Sequence, residues 1–172
     1  MLTTFERKKV DSHRLYGEII SESEDLILFR EEDDFQFDGF RVIRRRDLTS
    51  LSTTESNQYC EKLMRKEGLW KKAPSFVRRL PVKNWNVLLT ALIGRNVIIE
   101  NERLEDFRIG PVLDCDEKHV WIHYFDPLGC WMDLERVSLS RITSVQFATR
   151  YLEIHSKYLP PRPALFPSRV SR

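Results

Sequence analysis

Arginine and lysine are the residues of this chain whose grouping could do chemistry. Arg41, Arg44, Arg45 and Arg46 form the densest basic cluster in a strand-rich stretch, and Lys71, Lys72, Arg78 and Arg79 surround Phe76 close to Trp70. Cations bind phosphates and exposed aromatic rings stack on bases. Arg44, Arg45, Arg46, Lys71, Lys72, Trp70, Phe76, Arg78 and Arg79 are therefore the candidate residues for binding nucleic acid, RNA in particular. The competing reading puts Arg44 and Arg46 on a solvated strand face beside the acidic run from Glu31 to Asp34, with Trp70 and Phe76 filling hydrophobic gaps.

Other reactive residue types lead to no site. His119 and His123 are four apart among Val120, Trp121, Ile122 and Tyr124, a strand-forming context. On a strand that spacing separates them by about 13 Å of rise, too far to share a metal. Asp34 to Gly39 resembles the start of a calcium loop, but the twelfth position is Arg45 where a carboxylate is required, and Phe35 and Phe37 interrupt the ligands. Cys60, Cys115 and Cys130 make neither an even disulfide set nor a CxxC pair, so they read as reduced, partly buried thiols. No nucleophile motif, acid and base pair or phosphate-cradling glycine loop stands out. The expectation is a noncatalytic protein with no catalytic residue, no cofactor and no metal.

The elements that must position these residues come in two similar sets. One runs LYGEIISESEDLILF (Leu15 to Phe29) and closes with DGFRVIRRRDLTSL (Asp38 to Leu51); the other runs RIGPVLDCDEKHVWIHYF (Arg108 to Phe125) and closes with MDLERVSLSRITSV (Met132 to Val145). Gly17 matches Gly110, and Leu48-Thr49-Ser50-Leu51 matches Ile142-Thr143-Ser144-Val145, with one residue of slippage. Alternating apolar residues predict hairpins, with a bulge at Asp38-Gly39. Between the sets, Thr53 or Thr54 caps a helix running to about Lys66, with Tyr59, Leu63, Cys60 and Met64 on its buried face and Gly68 as its stop. Asn84 caps a second helix that carries Trp85, Leu88, Leu89 and Leu92 and ends at Gly94. The expected division is 1–68 for the first β module and its helix, 69–82 for a basic linker, 83–157 for the second helix and β module, and 158–172 for a tail rich in proline.

A strongly bent β unit with a flanking helix, stated twice, resembles the Sm-like and SH3-like small β-barrels. The resemblance implies a mainly β chain with minor α content, built of two bent-sheet modules joined by the two helices. In Sm-like proteins an Asp and an Asn in one motif and an Arg-Gly in the other hold RNA. Asp25 takes the acidic place and Arg44 the basic one here, but Leu26 to Arg30 contains no Asn and Arg45 replaces the Gly. The family's RNA pocket therefore does not carry over. Sm-like modules often pair edge to edge, and an unpaired strand invites self-association into a homo-oligomer.

Charge and composition narrow the function class further. Hydrophobic residues at 41% and charged residues at 31% describe a globular chain, with no apolar run of membrane-spanning length and no secretory leader pattern at Met1 to His13. A cytoplasmic protein that does not engage the membrane is expected. Residues 53–95 carry nine basic and three acidic side chains, whereas acids outnumber bases on either side, in 1–52 and 96–150. The leading expectation is a binding or scaffold protein that presents a sheet edge, a groove between the repeats or its tail to a protein partner. Nucleic acid held by the Arg cluster and the linker cations is the alternative.

Overall fold

Alternation of apolar and polar residues gives extended segments, and their short polar turns force antiparallel neighbours. The computed structural model describes residues 1–164. The chain forms strands β1 (Leu2–Arg7), β2 (Asp11–Glu22), β3 (Leu26–Asp33), β4 (Gln36–Arg44) and β5 (Ser50–Ser52), then helices α1 (Glu55–Lys66), α2 (Ser75–Arg78) and α3 (Trp85–Ala91). Strands β6 (Asn96–Asn101), β7 (Asp106–Cys115), β8 (His119–Phe125), β9 (Trp131–Ser138) and β10 (Ser144–Phe147) follow, and helix α4 (Arg150–Tyr158) comes last. Single 3-10 turns occupy Arg45–Asp47, Glu102–Leu104 and Leu139–Arg141.

All ten strands belong to one antiparallel sheet in the order β5-β1-β2-β3-β4-β10-β6-β7-β8-β9. The mainly β character stands, but the expectation of two barrel modules joined by two helices is overturned. The sheet does not close into a barrel; β5 and β9 are its two ends. What joins its halves is the β4–β10 ladder, in which Ile43 faces Ser144, Val42 faces Val145, Arg41 faces Gln146 and Phe40 faces Phe147. Val42 and Val145 are both fully buried, and the rings of Phe40 and Phe147 stack at 5.5 Å. An edge rich in apolar side chains pairs in preference to being solvated, and here its complement lies a hundred residues along the chain.

Within that sheet the strand order is stated twice, β5-β1-β2-β3-β4 and then β10-β6-β7-β8-β9. Gly17 on β2 and Gly110 on β7 meet the same constraint. A Cβ at Gly17 would collide with the Arg30 carbonyl of the next strand, and one at Gly110 with the His123 carbonyl. Only glycine permits so close a backbone approach.

The segment expected as a linker lies across the central strands. Val77 of α2 and Leu88, Leu89 and Leu92 of α3 and its end join one apolar cluster with Leu28, Val42, Val145, Ile99, Val112 and Ile122. Thr54 caps α1 by accepting from the Asn57 amide at 3.2 Å, while Asn57 Oδ1 accepts from the Thr54 amide at 2.9 Å. Met64 is buried there, but Tyr59, expected on the buried face, is 64% exposed. Of the tail expected over 158–172, residues 165–172 lie outside the described residues. Trp131 Nε1 donates to the Pro160 carbonyl at 2.9 Å, which lays the start of the tail beside β9. No helix among the described residues is long and apolar enough to cross a membrane.

Candidate binding groove

A cavity of about 650 Å3 opens where the two halves of the sheet meet the start of α3. Its wall is made of turns, each pinned by hydrogen bonds. Ser23 Oγ accepts from the amides of Asp25 and Leu26 at 3.1 and 3.0 Å and donates to the Val82 carbonyl at 2.7 Å. That fixes the β2–β3 turn against the segment entering α3. Asn84 caps α3 by accepting from the Val87 amide at 3.0 Å, and Asn86 Nδ2 donates to the Asp116 carbonyl at 2.6 Å. Asp116 in turn accepts from the amides of Lys118 and His119, which holds its carboxyl below the usual range and closes the β7–β8 turn. The remaining wall comes from Arg46 and from Leu139 and Ser140, in the first and third 3-10 turns.

Arg44, the last residue of β4, is the unusual group in this wall. It is only 8% exposed, and its Nη2 donates to the carbonyls of Leu139 at 2.6 Å and Ser140 at 3.0 Å. It bridges the halves, yet among the described residues no carboxylate lies within ion-pair distance of it. Burial pulls its pKa below the ordinary arginine value, and the charge of Arg46 pulls it further. Trp85, 6% exposed, lines the same cavity and its indole N–H has no hydrogen-bond partner among the described residues. Glu24, Asp25 and Glu117 complete the lining as exposed carboxylates.

Of the candidate nucleic-acid residues, only Arg44 and Arg46 come together in this cavity. Arg45 is engaged elsewhere, paired with Glu22 and donating through Nε to the Ser23 carbonyl at 2.8 Å. Lys71, Lys72, Arg78 and Arg79 are exposed along the connecting segment and do not line the groove. Trp70 packs edge-on against Phe37 at 5.1 Å with Arg65 over its ring at 4.3 Å, and Phe76 lies under Arg95 at 4.3 Å. Each ring thus has an arginine over one of its faces. Asn84 and Trp85 are legible in the sequence only as a helix cap and a helix residue, and Asn86 not at all; the sole signal is a tryptophan set between two asparagines at a helix start.

Two polar assemblies elsewhere are paired within the protein, although the Arg7 Nε is left without a hydrogen-bond partner among the described residues. Fully buried Arg7 makes a two-pronged pair with Glu102 at 2.6 Å on each prong, and Arg41 pairs with Glu31 at 2.8 Å and Glu100 at 3.0 Å. Burial raises the Glu31 pKa against the pull of Arg41. His119 and His123 sit on β8, where His123 Nε2 donates to the Met132 carbonyl at 3.0 Å. Burial pushes the Cys60 and Cys115 thiols up to about 11, which keeps them protonated and unreactive near neutral pH. A second cavity of about 460 Å3 borders α4, but there Asn96 already donates to Ser156 and Arg95 already covers Phe76.

Compared with known proteins, the chain matches no family model, no curated protein and no solved structure.

Proposed function

We propose that this chain is a noncatalytic binding protein that holds a segment of a protein partner in the groove between the two halves of its sheet. The carrying observation is Arg44, a buried cation tied to backbone carbonyls of the opposite half and facing a cavity, with no carboxylate among the described residues paired to it. Concave sites with a few convergent polar groups on a fixed wall are the usual seats of ligands. The wall is preorganised, since Ser23, Asn84 and Asn86 fix the turns that form it, so binding costs little ordering entropy.

Binding of RNA along the connecting segment is the second reading, favoured by the exposure of Lys71, Lys72, Arg78 and Arg79. It has phosphate-binding charge, but the two aromatic rings beside it, Trp70 and Phe76, already pack against arginines. A photo-crosslinking amino acid placed at Glu117 on the groove rim, with one at exposed Lys62 on α1 as control, separates the readings. The expected result is a protein adduct at 117, absent at 62 and unaffected by nuclease. Equal labelling at both positions, or adducts that vanish on nuclease treatment, would refute the groove reading.

A further inference from the structure

We infer that the groove is an acceptor for a peptide carboxylate, an aspartate or glutamate flanked by basic residues, seated on Arg44 and Arg46. The inference rests on the groove-binding reading and adds the chemistry of its ligand. A guanidinium has five N–H groups in a fixed fork. In Arg44 the two on Nη2 serve Leu139 and Ser140, and the other three have no hydrogen-bond partner among the described residues. More than nine-tenths of the residue is buried, and its unpartnered nitrogens are not among the fully enclosed ones, so they are open to a ligand while the charge is only partly solvated. Its charged neighbours are of both signs: Arg46 and Arg103 oppose its charge while Asp47 and Asp25 favour it, but Asp47 is already paired with Arg103 at 2.8 Å. A carboxylate entering the cavity supplies the missing acceptor in the geometry that arginine binds best.

The rim decides which anion fits. Glu24, Asp25 and Glu117 face the same opening as exposed carboxylates. A nucleic acid strand would bring successive phosphates past these three negative groups, whereas one carboxylate between lysines or arginines meets cations on the floor and anions on the rim. Charge complementarity therefore selects a peptide of mixed sign over a polyanion.

Titrating the full chain with a fluorescent peptide of sequence Gly-Lys-Glu-Lys-Gly, capped at both ends, tests this. The same peptide with Gln in place of Glu, and a single-stranded oligonucleotide, are run beside it. The expected outcome is saturable binding of the Glu peptide, at least about tenfold weaker binding of the Gln peptide, and a comparable loss in an Arg46→Gln chain. Arg44→Met gives a second readout: it abolishes Glu-peptide binding and also lowers thermal stability, because the Leu139 and Ser140 carbonyls lose their donor, whereas Arg46→Gln loses the peptide with stability unchanged. Equal binding of the Glu and Gln peptides, indifference to Arg46→Gln, or tighter binding of the oligonucleotide that displaces the peptide would each overturn the inference. If the peptide fails but the adduct at 117 persists, only the carboxylate assignment falls; if both fail, the groove reading falls with it.

Discussion

Arg30 and His123 show how one structural place is solved with different chemistry. Their carbonyls oppose Gly17 and Gly110 in the same way, and both side chains are buried. Arg30 pairs with Glu18 at 2.7 Å and lies 3.4 Å from the centre of the Phe37 ring, while His123 packs 4.7 Å from Trp131. Burial holds the His123 pKa below its ordinary value of 6.5, so the folded chain keeps this imidazole neutral. The unfolded chain takes up the proton first as pH falls, and stability is lost from about pH 6.5 down to the lower folded value. Urea unfolding of His123→Phe at pH 7.5 and 5.5 is expected to show a smaller loss on acidification than the parent chain. Glu102→Ala would leave Arg7 buried and unpaired, for a cost of about 3–5 kcal/mol by the same measurement.

At the scale of elements, the two close glycine approaches make a matched test. Gly17→Ala and Gly110→Ala each force backbone out of contact and are expected to destabilise by about 1–3 kcal/mol, read from urea midpoints. Much at this scale was legible in the sequence. Thr54 and Asn84 cap the helices, Gly68 and Gly94 end them with positive φ, and β8 spans His119 to Phe125 as its alternation implied. Strand β1 was missed because LTTFER has little apolar periodicity; it is buried by pairing with β2 and β5 on either side. Helix α4 was missed because its burial rests on a single residue, Leu152. The groove was half legible, since Arg44 and Arg46 sit in a visible cluster. Their setting depends on carbonyls of Leu139 and Ser140 and on Trp85, which local spacing does not bring near.

On the scale of the whole molecule, the β4–β10 ladder and the shared cluster under α2 and α3 make the two halves one cooperative body. Circular dichroism and tryptophan emission are expected to report a single coincident unfolding transition, because Trp85 lies in the shared core and Trp121 on the second half. Two separated transitions would contradict that. Both open ends of the sheet are muted, β5 by being three residues long and β9 by Asp133, Glu135 and Arg136, which turns attention from the edges to the groove. The most direct test of the groove is hydrogen exchange on the full chain with and without the Lys-Glu-Lys peptide. The groove account predicts slowed exchange confined to residues 23–26, 44–46, 84–86 and 139–140. Protection at β5, β9 or residues 71–79 with those four segments unchanged would contradict it.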